Sequence, residues 1–323
     1  MSAQHRYLER FHRARLSKRW TSESLPSSLR DRTSFTQNYE THIVACRMCG
    51  LLCRNPHPPA EAVSAAYAHD SYAASHLHAE WQAQLAWARN KVRCVARHVK
   101  QRSNPRMIEV GSFVGGFLSA AREYGWDIMG VDPGEVVVHF CRSQGLSVFE
   151  GTFEQLSPRP EETDAVLIWN TFDQVPDPRV LLSSIVRALK PEGLLVLRVP
   201  HGHCYRTALS IARAHPWARD AVYTGLIWNN LLTFPYLYGY GLSTLDSLLE
   251  EFGLTRKAVY PDTLMQSAIP EMTWFATVEE RMVKQLCRTT TALVTWMGDR
   301  RLSTAGWLDV YYRKEKRDRS EGL

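Results

Sequence analysis

The feature that most constrains the fold is a regular alternation of short apolar runs with amphipathic stretches, which begins near residue 106. A strand that helices cover on both faces has an unbroken apolar sequence. Parallel neighbours of this kind are joined by a crossover connection, usually a helix. The pattern therefore predicts an α/β domain with a mostly parallel sheet, whose strands occupy residues 107–110, 127–131, 146–149, 165–169 and 194–199.

Helical periodicity and turn residues divide the rest of the chain. Apolar residues recur at helical spacing over residues 79–100, and Ser103-Asn104-Pro105 ends that helix. Further helices are predicted at 115–124, 136–144, 179–189 and 243–253, and further strands at 254–260 and 307–312. Four regions follow: a basic polar segment at 1–45, a cysteine-containing and helical region at 46–101, the α/β domain at 102–314 and a charged tail at 315–323.

A glycine-containing turn joins the first predicted strand to the first helix of the α/β domain. Gly111 and Gly115 would let a ligand approach the backbone at the start of that helix. Asp132 lies 21 residues after Gly111, where a carboxylate can bind the ribose hydroxyls of an adenosine. A dinucleotide turn needs a glycine at its third place to admit the pyrophosphate, and Phe113 stands there. Glu109, an acid beside the turn, suits a cationic ligand group better than a diphosphate.

These residues resemble a known family. Residues 106–200 are similar to the class I methyltransferases that use S-adenosyl-L-methionine (SAM), and the similarity continues more weakly to residue 314. Glu109, Gly111 and Gly115 match the family's acid and Gly-x-Gly-x-Gly motif, in which Phe113 replaces the central glycine. The run 189–195 resembles the family's turn into the fifth strand. The resemblance implies a Rossmann-like class I fold: a seven-stranded, mostly parallel sheet with helices on both faces, plus a helical, cysteine-containing N-terminal region.

The resemblance also implies a SAM site. Glu109 and the glycine turn would hold the methionine end, and Asp132 would hold the ribose. Thr152 stands where the family usually has an acid, so adenine contact there would be through the backbone. The predicted cofactor-binding residues are Glu109, Gly111, Ser112, Phe113, Gly115, Asp132, Pro133, Thr152, Phe153, Trp169 and Asn170.

Candidates for catalysis follow the fourth and fifth predicted strands, because sites in such sheets lie beyond the carboxyl ends of the strands. Many small-molecule relatives have Glu-His where this chain has Asp173-Gln174, so the familiar histidine is absent. Asp173 would orient the substrate or cap a helix. His201 and His203 would supply a base near neutral pH, or else belong to the loop or cap the next helix.

Residues 221–245 carry no charge and are rich in aromatic side chains. In the resembling enzymes, the insertion after the fifth strand forms a lid over the acceptor. We predict such a lid, with Tyr238 and Tyr240 as substrate contacts. Plain core packing and contact with a membrane surface are the alternatives.

The cysteines pose a separate question. Cys46, Cys49 and Cys53 resemble the second half of a zinc ribbon, but no cysteine precedes Cys46 to form the first half. His42 could complete a set of four zinc ligands. A degenerate segment that binds no metal is the interpretation we favour over zinc, and a redox role is a third alternative.

The sequence thus predicts a SAM-dependent methyltransferase that acts on a small-molecule acceptor, such as a hydroxyl of a sugar or secondary metabolite. The alternatives are a non-catalytic partner protein with this fold and an NAD-dependent oxidoreductase. The net charge of +6 lies partly in the basic ends, which we interpret as solvated tails. The basic ends are the only feature that suggests RNA modification. Residues 170–172 argue against it, because they lack the proline pair found in nucleic-acid amino-methyltransferases. No apolar run of about 18 residues or secretory signal is found, so we predict a cytoplasmic protein. The sequence does not determine the oligomeric state.

Overall fold

A computed structural model describes residues 42–57, 59–68, 72–99, 104–231, 237–266, 273–299 and 301–316. Most of the predicted basic segment at 1–45 and of the charged tail at 315–323 lies outside the described residues. In the described part, the chain begins with a hairpin and two helices. These elements are β1 (His42–Ala45), β2 (Leu52–Asn55), α1 (Ala60–Ala68) and α2 (Ala74–Ala96).

Alternating strands and helices follow, as the apolar runs predict. They are β3 (Arg106–Val110), α3 (Gly116–Glu123), β4 (Asp127–Asp132), α4 (Glu135–Ser143), β5 (Val148–Glu150), α5 (Phe153–Leu156), β6 (Thr163–Trp169), α6 (Pro178–Ala188) and β7 (Leu189–Pro200). The last part of the chain contains α7 (Gly202–Ala214), α8 (Arg219–Trp228), β8 (Tyr238–Gly239), α9 (Leu242–Glu250), β9 (Leu254–Asp262), α10 (Trp274–Trp296) and β10 (Trp307–Lys314).

Seven of the described strands form one sheet in the order β5-β4-β3-β6-β7-β10-β9. β3 pairs in parallel with β4 on one side and with β6 on the other. β10 is antiparallel to both β7 and β9 and lies one strand in from the edge. With helices on both faces, this is the Rossmann-like class I fold that the sequence predicts.

The sheet separates two apolar layers, because successive side chains of a strand point to opposite faces. In β6, Val166 and Ile168 pack with α6 and α9, whereas Ala165, Leu167 and Trp169 pack with α2 and α3. Large-to-small substitutions at such fully buried positions cost about 2–5 kcal/mol.

Helix ends near the carboxyl edge of the sheet are held by local hydrogen bonds. The Asp177 side chain accepts from the backbone N–H groups of Arg179 and Val180, and Pro178 occupies the first turn of α6. Thr152 and Gln155 form a reciprocal capping box at the start of α5. These caps fix the loops that precede the helices.

The structure departs from the sequence prediction in several places, and the helices α1, α7 and α8 are among the elements that were not predicted. α2 begins at Ala74 instead of residue 79, and β1 lies inside the basic polar segment predicted at 1–45. α10, a helix of 23 residues, was not predicted. No helix in the described ranges is both long enough and apolar enough to cross a membrane.

Candidate functional site

A cleft of about 440 Å³ opens at the carboxyl ends of β3, β4 and β6. This is the edge where ligands bind in open α/β sheets, and the volume is that of a typical small-molecule pocket. Among its described lining residues are most members of the predicted cofactor set: Glu109, Gly111, Ser112, Phe113, Asp132, Pro133, Thr152, Phe153, Trp169 and Asn170.

The turn after β3 packs closely against the ends of β4 and β6. Gly111 has φ of +72°, and a Cβ there would lie 2.2 Å from Oγ1 of Thr171. The Phe113 N–H donates to Oδ2 of Asp132 over 2.8 Å, and the Gly134 N–H donates to Oδ1 over 2.9 Å. Asp132 therefore faces the cleft with one backbone donor on each oxygen, and each oxygen keeps a lone pair for a ligand.

Glu109 lies in β3 at the bottom of the cleft and is only 3% exposed. No described group hydrogen-bonds its Oε2 atom. Burial, and in second place the charge of Asp132, raise the pKa of Glu109 well above its usual range. Burial also raises the pKa of Asp132, against the two backbone hydrogen bonds that lower it. A buried carboxylate oxygen without a partner is costly, so a cationic donor placed beside Oε2 would be favoured.

The charged residues among the cleft's described lining all have the same sign. They are Glu109, Asp132, Glu154 and Asp177, and no lysine, arginine or histidine occurs among the lining residues that the structure describes. Four carboxylates would repel a diphosphate and attract a cationic ligand.

Aromatic rings form the apolar walls. The Trp87 and Trp169 rings meet edge to face with centroids 5.3 Å apart, and Phe117 lies 5.2 Å from Trp169. Phe113 packs edge-on against Tyr72 at 5.4 Å. The aromatic residue that replaces the central glycine is thus part of one wall, and the cleft stays open beside it.

Several lining residues were missed by sequence reasoning because they lie far from the predicted motifs. α1, α2 and the segment between them contribute Val63, Tyr67, Tyr72, Gln84 and Trp87, and the segment after β9 contributes Met265. The Tyr67 hydroxyl donates to the side-chain oxygen of Gln174, 107 residues away. The only signal in the sequence is the aromatic content of the region before β3.

Asn170 stands at the cleft rim in a left-handed conformation, with φ of +56°. Arg198 Nε donates to its side-chain oxygen over 2.9 Å, and Gln174 Nε2 donates to its carbonyl over 2.6 Å. The Asn170 N–H donates to the Arg198 carbonyl over 3.2 Å. A left-handed conformation is unfavourable for a residue other than glycine, and these hydrogen bonds hold Asn170 in it.

Arg198 belongs to a buried ion network behind that rim. Its Nη1 lies 2.7 Å from both Asp309 and Asp262, and Lys91 bridges the same two carboxylates. Burial alone would lower the pKa of Arg198, but the two carboxylates outweigh it and raise that pKa. Burial alone would raise the pKa of Asp262, but Arg198 and Lys91 outweigh it and lower that pKa. The guanidinium lies 5.1 Å from the centre of the Trp87 ring, which lines the cleft. The network thus ties α2, β7, β9 and β10 to the cleft.

Comparison with known proteins agrees with this geometry. A family model described as a methyltransferase domain matches residues 78–257, which is more than half of the chain. The chain belongs to this methyltransferase family. The class I, SAM-dependent assignment made from the sequence motifs is thereby confirmed at the level of family and fold. No curated protein sequence matches this methyltransferase.

Solved structures with a similar chain path include three from different organisms. A SAM-dependent methyltransferase from Archaeoglobus fulgidus is 18% identical, covers 71% of this chain and 94% of its own, and has a TM-score of 0.43. A SAM-dependent methyltransferase from Mesorhizobium loti is 14% identical, covers 68% of this chain and 96% of its own, and has a TM-score of 0.43. Phosphoethanolamine N-methyltransferase 2 from Haemonchus contortus, in complex with SAM, is 18% identical, covers 70% of this chain and 53% of its own, and has a TM-score of 0.44. Likenesses at this level do not extend to the substrate.

The two histidines predicted as bases of this methyltransferase lie away from the cleft. His201 is 1% exposed, its Nδ1 lies 3.2 Å from the Ala305 carbonyl oxygen, and burial lowers its pKa to about 4. Burial and the charge of Arg301 lower the pKa of His203. Neither is among the described lining residues. β7 continues to Pro200 and the chain turns directly into α7, where the Gly202 N–H donates to the Tyr240 carbonyl.

Asp173, Tyr238 and Tyr240 likewise support the cleft from behind instead of lining it. Asp173 is fully buried, and its carbonyl accepts from the Leu237 N–H. The Tyr238 hydroxyl donates to the Pro176 carbonyl over 3.0 Å, and Tyr240 packs against Phe172. These contacts hold the loop at 170–177.

Gly115 is also behind the turn. It begins α3 with φ of +71°, and a Cβ there would meet Leu146 at 2.5 Å and Cys141 at 3.0 Å. Its role in this structure is to let the helix start close to its neighbours, and it contributes no atom to the described lining.

The predicted lid at 221–245 contributes no residue to the cleft lining in its described parts, 221–231 and 237–245. Tyr223, Leu226 and Ile227 instead pack with Leu52 and Tyr205 in an apolar cluster. Core packing, the alternative to a lid, is the arrangement found for these residues.

The cysteine segment forms the tip of the β1–β2 hairpin. Cys46 and Cys49 are exposed there, and hydrogen bonds from the backbone of Cys49 and Met48 lower the pKa of Cys46. In the described ranges, no group of three or more His, Cys, Asp or Glu residues is placed to hold a metal ion. The zinc alternative for Cys46, Cys49 and Cys53 thus has no ligand set among these residues.

Proposed function

We propose that this methyltransferase binds SAM in the cleft and transfers the methyl group to a small-molecule acceptor. The observation that carries the proposal is the unpartnered Oε2 of Glu109, buried in a cleft whose charged lining residues are all carboxylates. A ligand that brings an ammonium group to Glu109 would remove the cost of that buried oxygen.

Different residues of the cleft would bind different parts of SAM. Glu109 would accept from the ammonium group, and Asp132 would accept from the ribose hydroxyls with the lone pairs that its two backbone donors leave free. Thr152 and Phe153 line the cleft beyond β5, where the adenine would lie. The Thr152 side chain is engaged in its capping box, so adenine recognition there falls to the backbone.

Bound SAM supplies a methyl group that the sulfonium has already activated. The protein then has to align the acceptor with that methyl group and exclude water. Trp87, Trp169 and Phe117 form a wall that keeps water away, and Asn170 is held rigidly at the rim. The acidic lining favours a neutral or cationic acceptor, and we retain a hydroxyl of a sugar or secondary metabolite as the acceptor class.

Calorimetric titration of the full-length protein with SAM, S-adenosylhomocysteine and NAD tests the proposal. We expect SAM and S-adenosylhomocysteine to bind and NAD not to bind. Asp132→Asn should weaken SAM about 10- to 100-fold, because a neutral amide replaces the charged acceptor of two hydroxyls. Glu123→Gln, at an exposed ion pair far from the cleft, is the matched control and should bind normally.

Two outcomes would contradict the proposal. A folded protein that binds NAD in preference to SAM would indicate an oxidoreductase. A folded protein that binds neither SAM nor S-adenosylhomocysteine would indicate a non-catalytic member of the family. The acceptor itself can be sought by incubating the protein with methyl-labelled SAM and fractionated metabolite extract, with Asp132→Asn, at a SAM concentration below its Kd, as the low-activity reference.

A further inference from the structure

The long helix α10 has one buried and one exposed face. One face is buried against the protein and includes Ala276 and the ion pair of Glu280 with Lys284. The opposite face is exposed and carries eight large apolar side chains, which we call the α10 stripe: Trp274, Phe275, Val278, Met282, Leu286, Leu293, Trp296 and Met297. Their exposed fractions range from 42% to 82%.

The stripe has the spacing of a helix–helix contact. From Phe275 through Val278, Met282 and Leu286 the steps are three or four residues, and Leu293 and Trp296 continue the same side. Such steps keep side chains on one face, as in the seam of paired helices. Over the 23 residues of α10 the stripe extends about 35 Å.

The size of the stripe argues for a protein partner. Three of the eight side chains are aromatic and offer roughly 150–250 Å² each. Together with five smaller aliphatic and methionine side chains at these exposures, they present on the order of 1,000 Å². The largest apolar patch on an ordinary monomer is about 300–600 Å². A stable interface needs about 800 Å² on each partner, which the α10 stripe can supply.

We propose that the α10 stripe is the interface between two copies of this chain, related by a two-fold axis. In such a pair each stripe is covered by the same stripe of the other copy, so both surfaces are apolar and both are buried. A helix that lies on a lipid surface presents a cationic polar face beside its apolar one. In α10 the face opposite the stripe is instead buried and includes the ion pair of Glu280 with Lys284, and the exposed charged residues of the helix are Arg281 and Arg288 alone.

Sedimentation equilibrium of the full-length protein at micromolar concentrations tests this inference. We expect twice the mass of one chain, falling to one on dilution. Leu286→Glu should weaken association about a thousandfold, because each copy loses a central contact worth about 2 kcal/mol and each 1.4 kcal/mol is tenfold. Met282→Glu is a second variant with the same expectation. Both side chains are mostly exposed, so unchanged melting curves should show that both variants fold.

Trp217→Glu is the matched control, since Trp217 is 85% exposed but lies outside the stripe. It should leave the dimer intact. A wild-type protein of single-chain mass at these concentrations would overturn the inference, as would a dimer that tolerates both glutamate substitutions. A single-chain species that co-sediments with phosphatidylcholine–phosphatidylserine vesicles, and loses this on Leu286→Glu, would assign the stripe to lipid and also overturn it.

Discussion

Replacing Glu109 by glutamine removes one charge from the bottom of the cleft and leaves its shape nearly unchanged. Glu109 is 3% exposed, and its Oε2 has no described hydrogen-bond partner. Burial and the neighbouring Asp132 raise its pKa. The substitution therefore has two effects of opposite sign, one on the unliganded protein and one on the complex with SAM.

In the unliganded protein, Glu109 contributes stability only while it is protonated. Its folded pKa is above its unfolded value, so that contribution is present at pH below the unfolded pKa and is lost as pH rises through the folded pKa. At neutral pH, Glu109→Gln should therefore stabilise the free protein by about 1–2 kcal/mol, or about 2–4 °C in Tm. The melting temperature of the variant should also vary less with pH than that of the wild type.

In the complex, the same substitution removes a charge-assisted hydrogen bond to the ammonium group. Bonds of this kind contribute about 1.5–3 kcal/mol, which corresponds to a Kd about 10- to 100-fold higher. Binding of SAM to the wild type should also release protons, because the ammonium group favours the ionised form of a carboxyl whose pKa is raised.

Calorimetry in buffers of different ionisation enthalpy measures both the affinity and the protons released, and thermal melts across pH measure the stability. A variant that melts at the wild-type temperature and binds SAM with wild-type affinity and proton release would refute the reasoning. A variant that is destabilised without its ligand would show that Glu109 has a protein partner instead of a ligand to bind.

Two further substitutions test the frame around the cleft. Gly111→Ala should destabilise the protein by about 3 kcal/mol in urea unfolding, since a left-handed φ and contact with Thr171 both oppose a Cβ. Gly125→Ala, at a similar φ with open space, should cost about 1 kcal/mol, and equal losses would contradict the role of the contact. Arg198→Met should cost about 3–5 kcal/mol because buried carboxylates lose their partner. Arg179→Met, at an exposed ion pair, should change the unfolding midpoint little, and a similar loss in both variants would refute the buried network's importance.

The sheet could be predicted from sequence because each strand carries its own evidence. A buried parallel strand such as β6 needs apolar side chains on both faces, and 165–169 shows this without any knowledge of its neighbours. The turn at Gly111 and the acid at Asp132 are likewise local, since a left-handed residue and a strand-end carboxylate stand at fixed distances along the chain.

The remaining parts of the site depend on contacts between distant segments. Tyr67 meets Gln174 across 107 residues, and no local pattern brings them together. His201 follows a strand end, as a catalytic base should, but the path of α7 buries it. α10 was missed for a different reason: its large apolar side chains lie on the exposed face, whereas its buried face carries Glu280, Lys284 and Thr291.

One wall of the cleft comes from a helix that precedes the whole sheet. α2 lies so close to α3 that a Cβ on Gly116 would come within 2.3 Å of the Cβ of Gln84. A fragment cut at residue 102 would retain all seven strands of the main sheet, yet Trp169 and Phe117 would stand open to water where Trp87 now covers them. The smallest piece of this protein able to enclose its ligand thus starts well upstream of its first sheet strand, and any deletion or fusion has to leave that helix attached.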